Sequence, residues 1–70
     1  MYKEIFTLRI KDARDENKLS QYKVAEILNV KQPTIASWES GRTEPDIENI
    51  GKLAKLYCHS IDYFFGLDND

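Results

Sequence analysis

The side chains best suited to recognition chemistry lie between residues 21 and 42. Gln32 and Thr34 carry an amide and a hydroxyl that can both donate and accept hydrogen bonds, and Ser37 follows one turn later if the segment is helical. Lys31 and Arg42 place positive charges on either side of these polar groups. Such groups favour binding by hydrogen bonds and charge, without bond-breaking chemistry.

The sequence contains no pattern typical of a catalytic or metal site. Its only histidine, His59, has no partnered nucleophile in a recognisable motif, and no phosphate-cradling glycine loop is present. Cys58 and His59 are adjacent and cannot complete a tetrahedral metal shell without further Cys or His. We therefore predict no enzyme, no catalytic residue, no metal and no cofactor. We interpret Cys58 and His59 as turn residues, with Cys58 at least half-buried. The alternatives are a reactive Cys58 and a pH-sensing His59.

The segment from Ser20 to Arg42 predicts two short helices joined by a tight turn. Apolar residues share one face of each helix at helical spacing: Val24, Ala25 and Leu28 in the first, Ile35 and Trp38 in the second. Ser20 can cap the first helix, and Asn29 tolerates the left-handed backbone that a tight turn requires. Ala25 leaves room for the second helix to approach. This arrangement is typical of a helix-turn-helix, a motif that binds DNA.

The whole chain predicts an all-α fold with five helices and no strand. We expect helices over residues 2–16, 21–28, 32–40, 47–57 and 61–65. Gly41 and Gly66 should end the third and fifth helices, and Asp46 should cap the fourth. Because 70 residues leave room for one core, we predict a single domain over residues 1–70, with the helix-turn-helix at 21–40 and a short acidic tail at 67–70.

Charge is distributed unevenly along the chain. The formal net charge is −2, which does not favour DNA binding, yet residues 1–42 hold eight Lys and Arg against six Asp and Glu, and residues 43–70 hold two against six. The acidity therefore lies in the distal part. A single cysteine excludes an internal disulfide and fits a reducing cytoplasm, and no apolar run is long enough for a membrane span or a signal peptide.

Many residues match the phage-repressor helix-turn-helix family of the Cro and cI type, also called the XRE type. The matches in the central segment are Gln21, Val24, Ala25, Leu28, Val30, Ile35 and Trp38. The flanking matches are Phe6, Ile10 and Arg14 upstream, and Pro45 to Ile47, Ile50, Leu53, Ala54 and Ser60 to Asp62 downstream. The chain resembles this family over nearly its whole length, which implies a compact five-helix lambda-repressor-like domain of prokaryotic or phage origin.

The resemblance implies which residues contact DNA bases. In such proteins the start of the third helix enters the major groove, where the Gln32 amide could match N6 and N7 of adenine and Thr34 could meet a base edge or a thymine methyl. Ser37 should point the same way. Pro33 replaces a polar base-reading residue of the family, but its ring could touch a thymine methyl or a sugar. Without the motif, Gln32, Thr34 and Ser37 would be interpreted as polar residues on a solvated helix face.

Other residues are expected at the phosphates. Gln21 resembles a family glutamine that bonds a phosphate and positions the glutamine of the recognition helix. Lys31 stands where the family usually has a capping serine, and a cation there opposes the helix dipole unless a phosphate is near. We predict backbone contacts for Lys31, Arg42 and Lys23, although Lys23 could simply be solvated.

Two further matches imply structural roles. Arg14 and Glu39 resemble a pair that forms a partly buried salt bridge between the first and third helices of this family. We predict that this salt bridge supports the recognition helix. Trp38 should be the large core residue beneath that helix, facing away from DNA.

The fifth helix carries more apolar surface than one short helix can bury inward. We predict a homodimer through this helix and the end of the fourth, using Tyr57, Ile61, Tyr63, Phe64 and Phe65. Two recognition helices would then lie about 34 Å apart on a palindromic double-stranded operator. The alternative is that Tyr2 and Phe6 of the first helix cover these aromatic residues.

The sequence therefore predicts a sequence-specific DNA-binding regulator of transcription, most simply a cytoplasmic repressor. The alternative is a protein-interaction module on the same scaffold, such as an antitoxin whose main partner is another protein.

Overall fold

Five α-helices follow one another in the computed structural model, which describes residues 1–68. They are α1 (Tyr2–Glu16), α2 (Gln21–Leu28), α3 (Gln32–Ser40), α4 (Ile47–Tyr57) and α5 (Ile61–Phe64). The first four have the predicted bounds, and α5 ends one residue earlier than predicted. Residues 1–68 contain no strand. The last two residues of the predicted acidic tail, Asn69 and Asp70, lie outside the described residues.

Side-chain caps set the starts of three helices. Ser20, Asp46 and Ser60 each accept a hydrogen bond from the backbone N–H three residues later, at 3.0, 2.9 and 3.1 Å. At the other end, α2 and α3 stop where Asn29 and Gly41 adopt left-handed backbones, with φ of 60° and 82°. These local signals explain why the helix bounds could be predicted from the sequence.

The end of α4 differs from expectation at one residue. Cys58 follows α4 with φ of 59°, so it is a turn residue as predicted. Its side chain is exposed, however, and the prediction that it is at least half-buried is wrong. The left-handed backbone at Cys58 ends α4 and turns this side chain outward. A glycine, which has no Cβ atom, would adopt the same backbone with less strain.

One core joins all five helices. In α1 the buried residues are Phe6, Ile10 and Ala13, at the spacing that defines one helix face. This face packs against α3, α4 and α5, while α2 packs against α3 and α4. The rest of the core comprises Val24, Ala25, Leu28, Ile35, Trp38, Leu53, Tyr57 and Phe64.

Two residues of the predicted dimer surface belong to this core. Tyr57 and Phe64 are 2% and 0% exposed, so their assignment to an interface is wrong. Phe6 of α1 lies edge-on to Phe64, with ring centroids 6.0 Å apart, and stacks on Phe65 at 5.3 Å. Tyr2 also lies edge-on to Phe65 at 6.5 Å. The first helix therefore covers Phe64 and part of Phe65, as in the alternative to the dimer surface.

Across residues 1–68, no helix has both the length and the apolar character needed to cross a membrane.

Candidate nucleic-acid interface

The turn between α2 and α3 is fixed by its own backbone. Asn29 adopts the left-handed conformation, which lets the N–H of Val30 donate to the Ala25 carbonyl at 2.9 Å. Val30 packs against the core and Lys31 returns to an extended backbone. The two helices are thus held at a defined angle, and α3 begins directly at the surface.

The first turn of α3 presents its polar side away from the core. Ile35 and Trp38 are 2% and 4% exposed, so they anchor the inner face, as predicted for Trp38. Pro33 is exposed, and Gln32 and Thr34 are half-buried. These three residues can reach a molecule that lies along the start of α3.

Ser37 does not belong to this surface, and its assignment to base contact is wrong. Its residue is 7% exposed, and its hydroxyl lies 2.7 Å from the Thr43 hydroxyl. The chain after α3 returns over the helix, and the N–H groups of Arg42 and Thr43 lie 3.0 and 3.4 Å from the Ser37 carbonyl. Helical spacing alone places Ser37 outward, but this returning segment covers it.

A chain of hydrogen bonds links the start of α3 to the start of α2. The Gln32 amide nitrogen donates to Gln21 Oε1 at 2.9 Å. The Gln21 amide nitrogen donates in turn to Glu39 Oε1 at 3.0 Å. Gln21 therefore positions Gln32, as the family resemblance implied, while one N–H of each amide and the Gln32 oxygen stay available for a ligand.

The chain of hydrogen bonds ends in a partly buried ion pair. Arg14 donates from Nε to Glu39 Oε2 at 2.6 Å and from Nη2 to Glu39 Oε1 at 3.0 Å. The two side chains are 13% and 5% exposed. The hydrogen bond to Glu39 raises the pKa of Arg14 above its ordinary value, although burial acts in the opposite direction. Arg14 also donates to the Leu19 carbonyl at 2.9 Å, which ties α1 to the start of α2.

The candidate phosphate-binding cations differ in their surroundings. Lys31 and Arg42 are exposed, and neither forms an ion pair with another of residues 1–68. Lys31 occupies the position before α3 and makes no side-chain cap. Lys23, in contrast, lies 3.2 Å from Glu26. Lys31 and Arg42 are thus better placed than Lys23 to meet phosphates.

Two further residues lie near this surface and were not singled out from the sequence. Ala36 follows Gln32 by four residues, so it lies on the same side of α3, where it is half-buried. Tyr22, beside Gln21, is 72% exposed. The signals available in the sequence were the four-residue spacing for Ala36 and, for Tyr22, an aromatic residue off the apolar face of α2.

His59 lies away from this surface. Its ring stacks on Tyr63 with centroids 3.7 Å apart, and its Nε2 is 3.1 Å from Glu16 Oε1. Arg9 covers Tyr63 with its guanidinium carbon 4.5 Å from the ring centroid. Among residues 1–68, no three His, Cys, Asp or Glu side chains come together as a possible metal site.

Comparison with known proteins gives a consistent picture. Residues 10–64 match the helix-turn-helix family HTH_3. The chain is 35% identical over 60 residues to the transcriptional regulator ImmR of Bacillus subtilis, covering 86% of this chain and 47% of ImmR. It is 38% identical over 53 residues to RstR, the cryptic phage CTXphi transcriptional repressor of Vibrio cholerae, covering 76% of this chain and 48% of RstR. The chain thus spans about half the length of these relatives.

Solved structures show the same architecture. A transcriptional regulator from Listeria innocua superposes with a TM-score of 0.81 at 35% identity, covering 93% of this chain and 61% of that one. The structure of FeII HppE superposes with a TM-score of 0.84 at 26% identity, covering 93% of this chain and 34% of HppE. The similarity to HppE therefore concerns about a third of that protein.

Proposed function

The chain belongs to the HTH_3 helix-turn-helix family of the phage-repressor type, and we propose that it binds a specific double-stranded DNA site through α3 and thereby regulates transcription. The observation that carries the proposal is Gln32 at the exposed start of α3, held by Gln21 in a fixed orientation. In a helix-turn-helix, the N-terminal end of the motif's second helix, which is α3 in this chain, enters the major groove. The simplest mode of regulation is repression, in which the bound protein blocks polymerase.

Within this proposal the contacts divide into two classes. Gln32, Pro33, Thr34 and Ala36 meet base edges or thymine methyl groups, because they lie at the start of α3 outside the core, where Pro33 is exposed and the other three are half-buried. Backbone contacts come from Gln21, Tyr22, Lys31 and Arg42, with Lys23 in a weaker role because Glu26 competes for its charge. The first class gives sequence preference, and the second gives affinity and register.

We further propose that the protein binds a palindromic operator as a homodimer in the cytoplasm and has no catalytic activity of its own. Of the five aromatic and aliphatic residues assigned to a dimer surface from the sequence, Ile61 is the most exposed, at 44%, and Tyr63 and Phe65 are half-buried. A role as a protein-interaction module is not favoured, because the similar proteins are named transcriptional regulators and repressors.

Selection of bound sequences from a random duplex pool, followed by a footprint on the preferred sequence, tests the proposal. We expect one enriched motif with protected major-groove positions. Equal binding to all duplexes would contradict it and would revive the protein-interaction alternative.

A further inference from the structure

The chain of hydrogen bonds from Gln32 to Arg14 has a direction that the ion pair imposes. An arginine side chain offers only donors, and an ionised carboxylate offers only acceptors. Because Glu39 Oε1 and Oε2 both receive N–H groups from Arg14, the carboxylate can offer the third neighbour only an acceptor. That neighbour is Gln21, whose side chain must therefore present its NH₂ group to Glu39.

The same constraint passes from Gln21 to Gln32. With its nitrogen facing Glu39 at 3.0 Å, the planar Gln21 amide turns its oxygen toward Gln32. Gln32 must then donate one N–H to that oxygen, at 2.9 Å. The Gln32 amide retains one N–H and its oxygen for a ligand, so it offers one donor and one acceptor.

This remaining pattern distinguishes the two purines in the major groove. Adenine presents an acceptor at N7 and a donor at N6, which one N–H and one carbonyl oxygen satisfy together. Guanine presents acceptors at both N7 and O6. A Gln32 amide turned by 180° would present both of its N–H groups to the groove and would suit guanine, but it would place its oxygen against the oxygen of Gln21.

We propose that Glu39, acting through Gln21, is a specificity-determining positioning residue that holds the Gln32 amide in the orientation that binds adenine. The inference rests on the proposed DNA-binding function. Glu39 is 5% exposed at its side chain, so it acts from inside the protein and does not itself touch the DNA. The ion pair with Arg14 thereby influences base preference as well as stability.

The test compares binding to four duplexes that differ only in the base pair that Gln32 meets, identified as the pair at which Gln32→Ala loses its preference. We expect the wild type to favour adenine over guanine by about tenfold, within the range of a bidentate contact. Glu39→Gln can present either amide atom to Gln21, so it should reduce the ratio to about twofold or less, by losing affinity for adenine and gaining affinity for guanine. In a Gln32→Ala background, Glu39→Gln should change no ratio.

A second variant keeps the test valid if Glu39→Gln does not fold. Gln21→Met removes the linking amide and leaves the Arg14–Glu39 pair intact. It should weaken binding to all four duplexes through the lost phosphate contact and should also reduce the adenine-to-guanine ratio. Ile10→Val, a mild core substitution outside the chain of hydrogen bonds, is the matched control and should keep the wild-type ratio. Folded variants that bind with the wild-type ratio would overturn the inference.

The free protein supplies an independent readout. The Gln32 side-chain N–H proton that donates to Gln21 should resonate downfield of the same proton in a solvated glutamine amide, because it is hydrogen-bonded. Both Gln21→Met and Glu39→Gln should move this signal toward the value of a solvated amide, and an unchanged signal would contradict the inference. A wild type without any base preference would instead contradict the proposed function, whereas the amide spectrum would still decide whether Glu39 orients Gln32.

Discussion

At the scale of single residues, Gln32 and Lys31 are neighbours with different expected contributions to DNA binding. Gln32→Ala removes a base-edge contact and should cost about 1–3 kcal/mol of binding free energy on the preferred sequence, with little loss on random DNA. Titration of a duplex with the preferred sequence and of a random duplex measures this difference. Ser37→Ala is the matched control, because the Ser37 hydroxyl bonds Thr43 inside the protein. Equal losses on both duplexes for Gln32→Ala would remove Gln32 from the groove.

Lys31→Ala tests the phosphate class of contact. The exposed ammonium should neutralise one phosphate, so its removal should weaken specific and random DNA alike and flatten the log–log salt dependence by about one unit. The measurement is binding at a series of salt concentrations. Lys55 lies on α4, outside the helix-turn-helix, and Lys55→Ala should leave the slope unchanged. If Lys31→Ala behaves as Lys55→Ala does, Lys31 is not at the interface.

At the scale of elements, the Arg14–Glu39 pair connects α1 to α3. Arg14→Ala leaves a carboxylate without its partner at a site where the Glu39 side chain is 5% exposed, so we expect a loss of about 3 kcal/mol in the free energy of unfolding. Urea denaturation without DNA measures this loss. Wild-type stability combined with lost DNA binding would contradict the structural role and would place Arg14 at the DNA.

The end of α4 offers a change in the opposite direction. Cys58 has φ of 59°, a conformation that glycine adopts without the strain that a Cβ atom brings. Cys58→Gly should therefore raise the free energy of unfolding by about 0.5 kcal/mol, since relief of strain exceeds the added entropy of the unfolded chain. Cys58→Ala keeps the Cβ atom and should give no gain. A Gly variant no more stable than the Ala variant would show that this backbone is not strained.

The elements also show what the sequence could and could not predict. Helix bounds followed from local signals such as the Ser20 cap, the left-handed Asn29 and the apolar spacing of α1. Ser37 was misassigned because the segment that covers it comes from beyond the helix. Spacing within one helix carries no information about that return.

At the scale of the whole molecule, the same limit applies to the predicted dimer surface. The sequence showed that α5 has too many apolar residues for one face, but it could not show how many of them α1 covers. Phe64 is buried under Phe6, and Tyr63 lies between His59 and Arg9. Ile61 remains as the exposed member of the set.

Assembly is tested at this scale. Ile61→Glu places a charge on the proposed contact and should shift the free protein toward a monomer in sedimentation, and it should also weaken binding to a palindromic site more than to a half-site. Ile47, at the start of α4, is 87% exposed, and Ile47→Glu is the matched control. A wild-type monomer that occupies the palindrome as a single copy would defeat the dimer proposal.

The central claim is that Gln32 meets an adenine edge in the major groove, and a cycle between protein and DNA tests it most directly. Replacing that adenine by 7-deazaadenine removes the N7 acceptor and leaves base pairing and the minor groove intact. We expect the replacement to weaken wild-type binding about fivefold and to leave Gln32→Ala binding unchanged. Equal weakening of both proteins would contradict the claim, because the lost N7 contact would then belong to another residue.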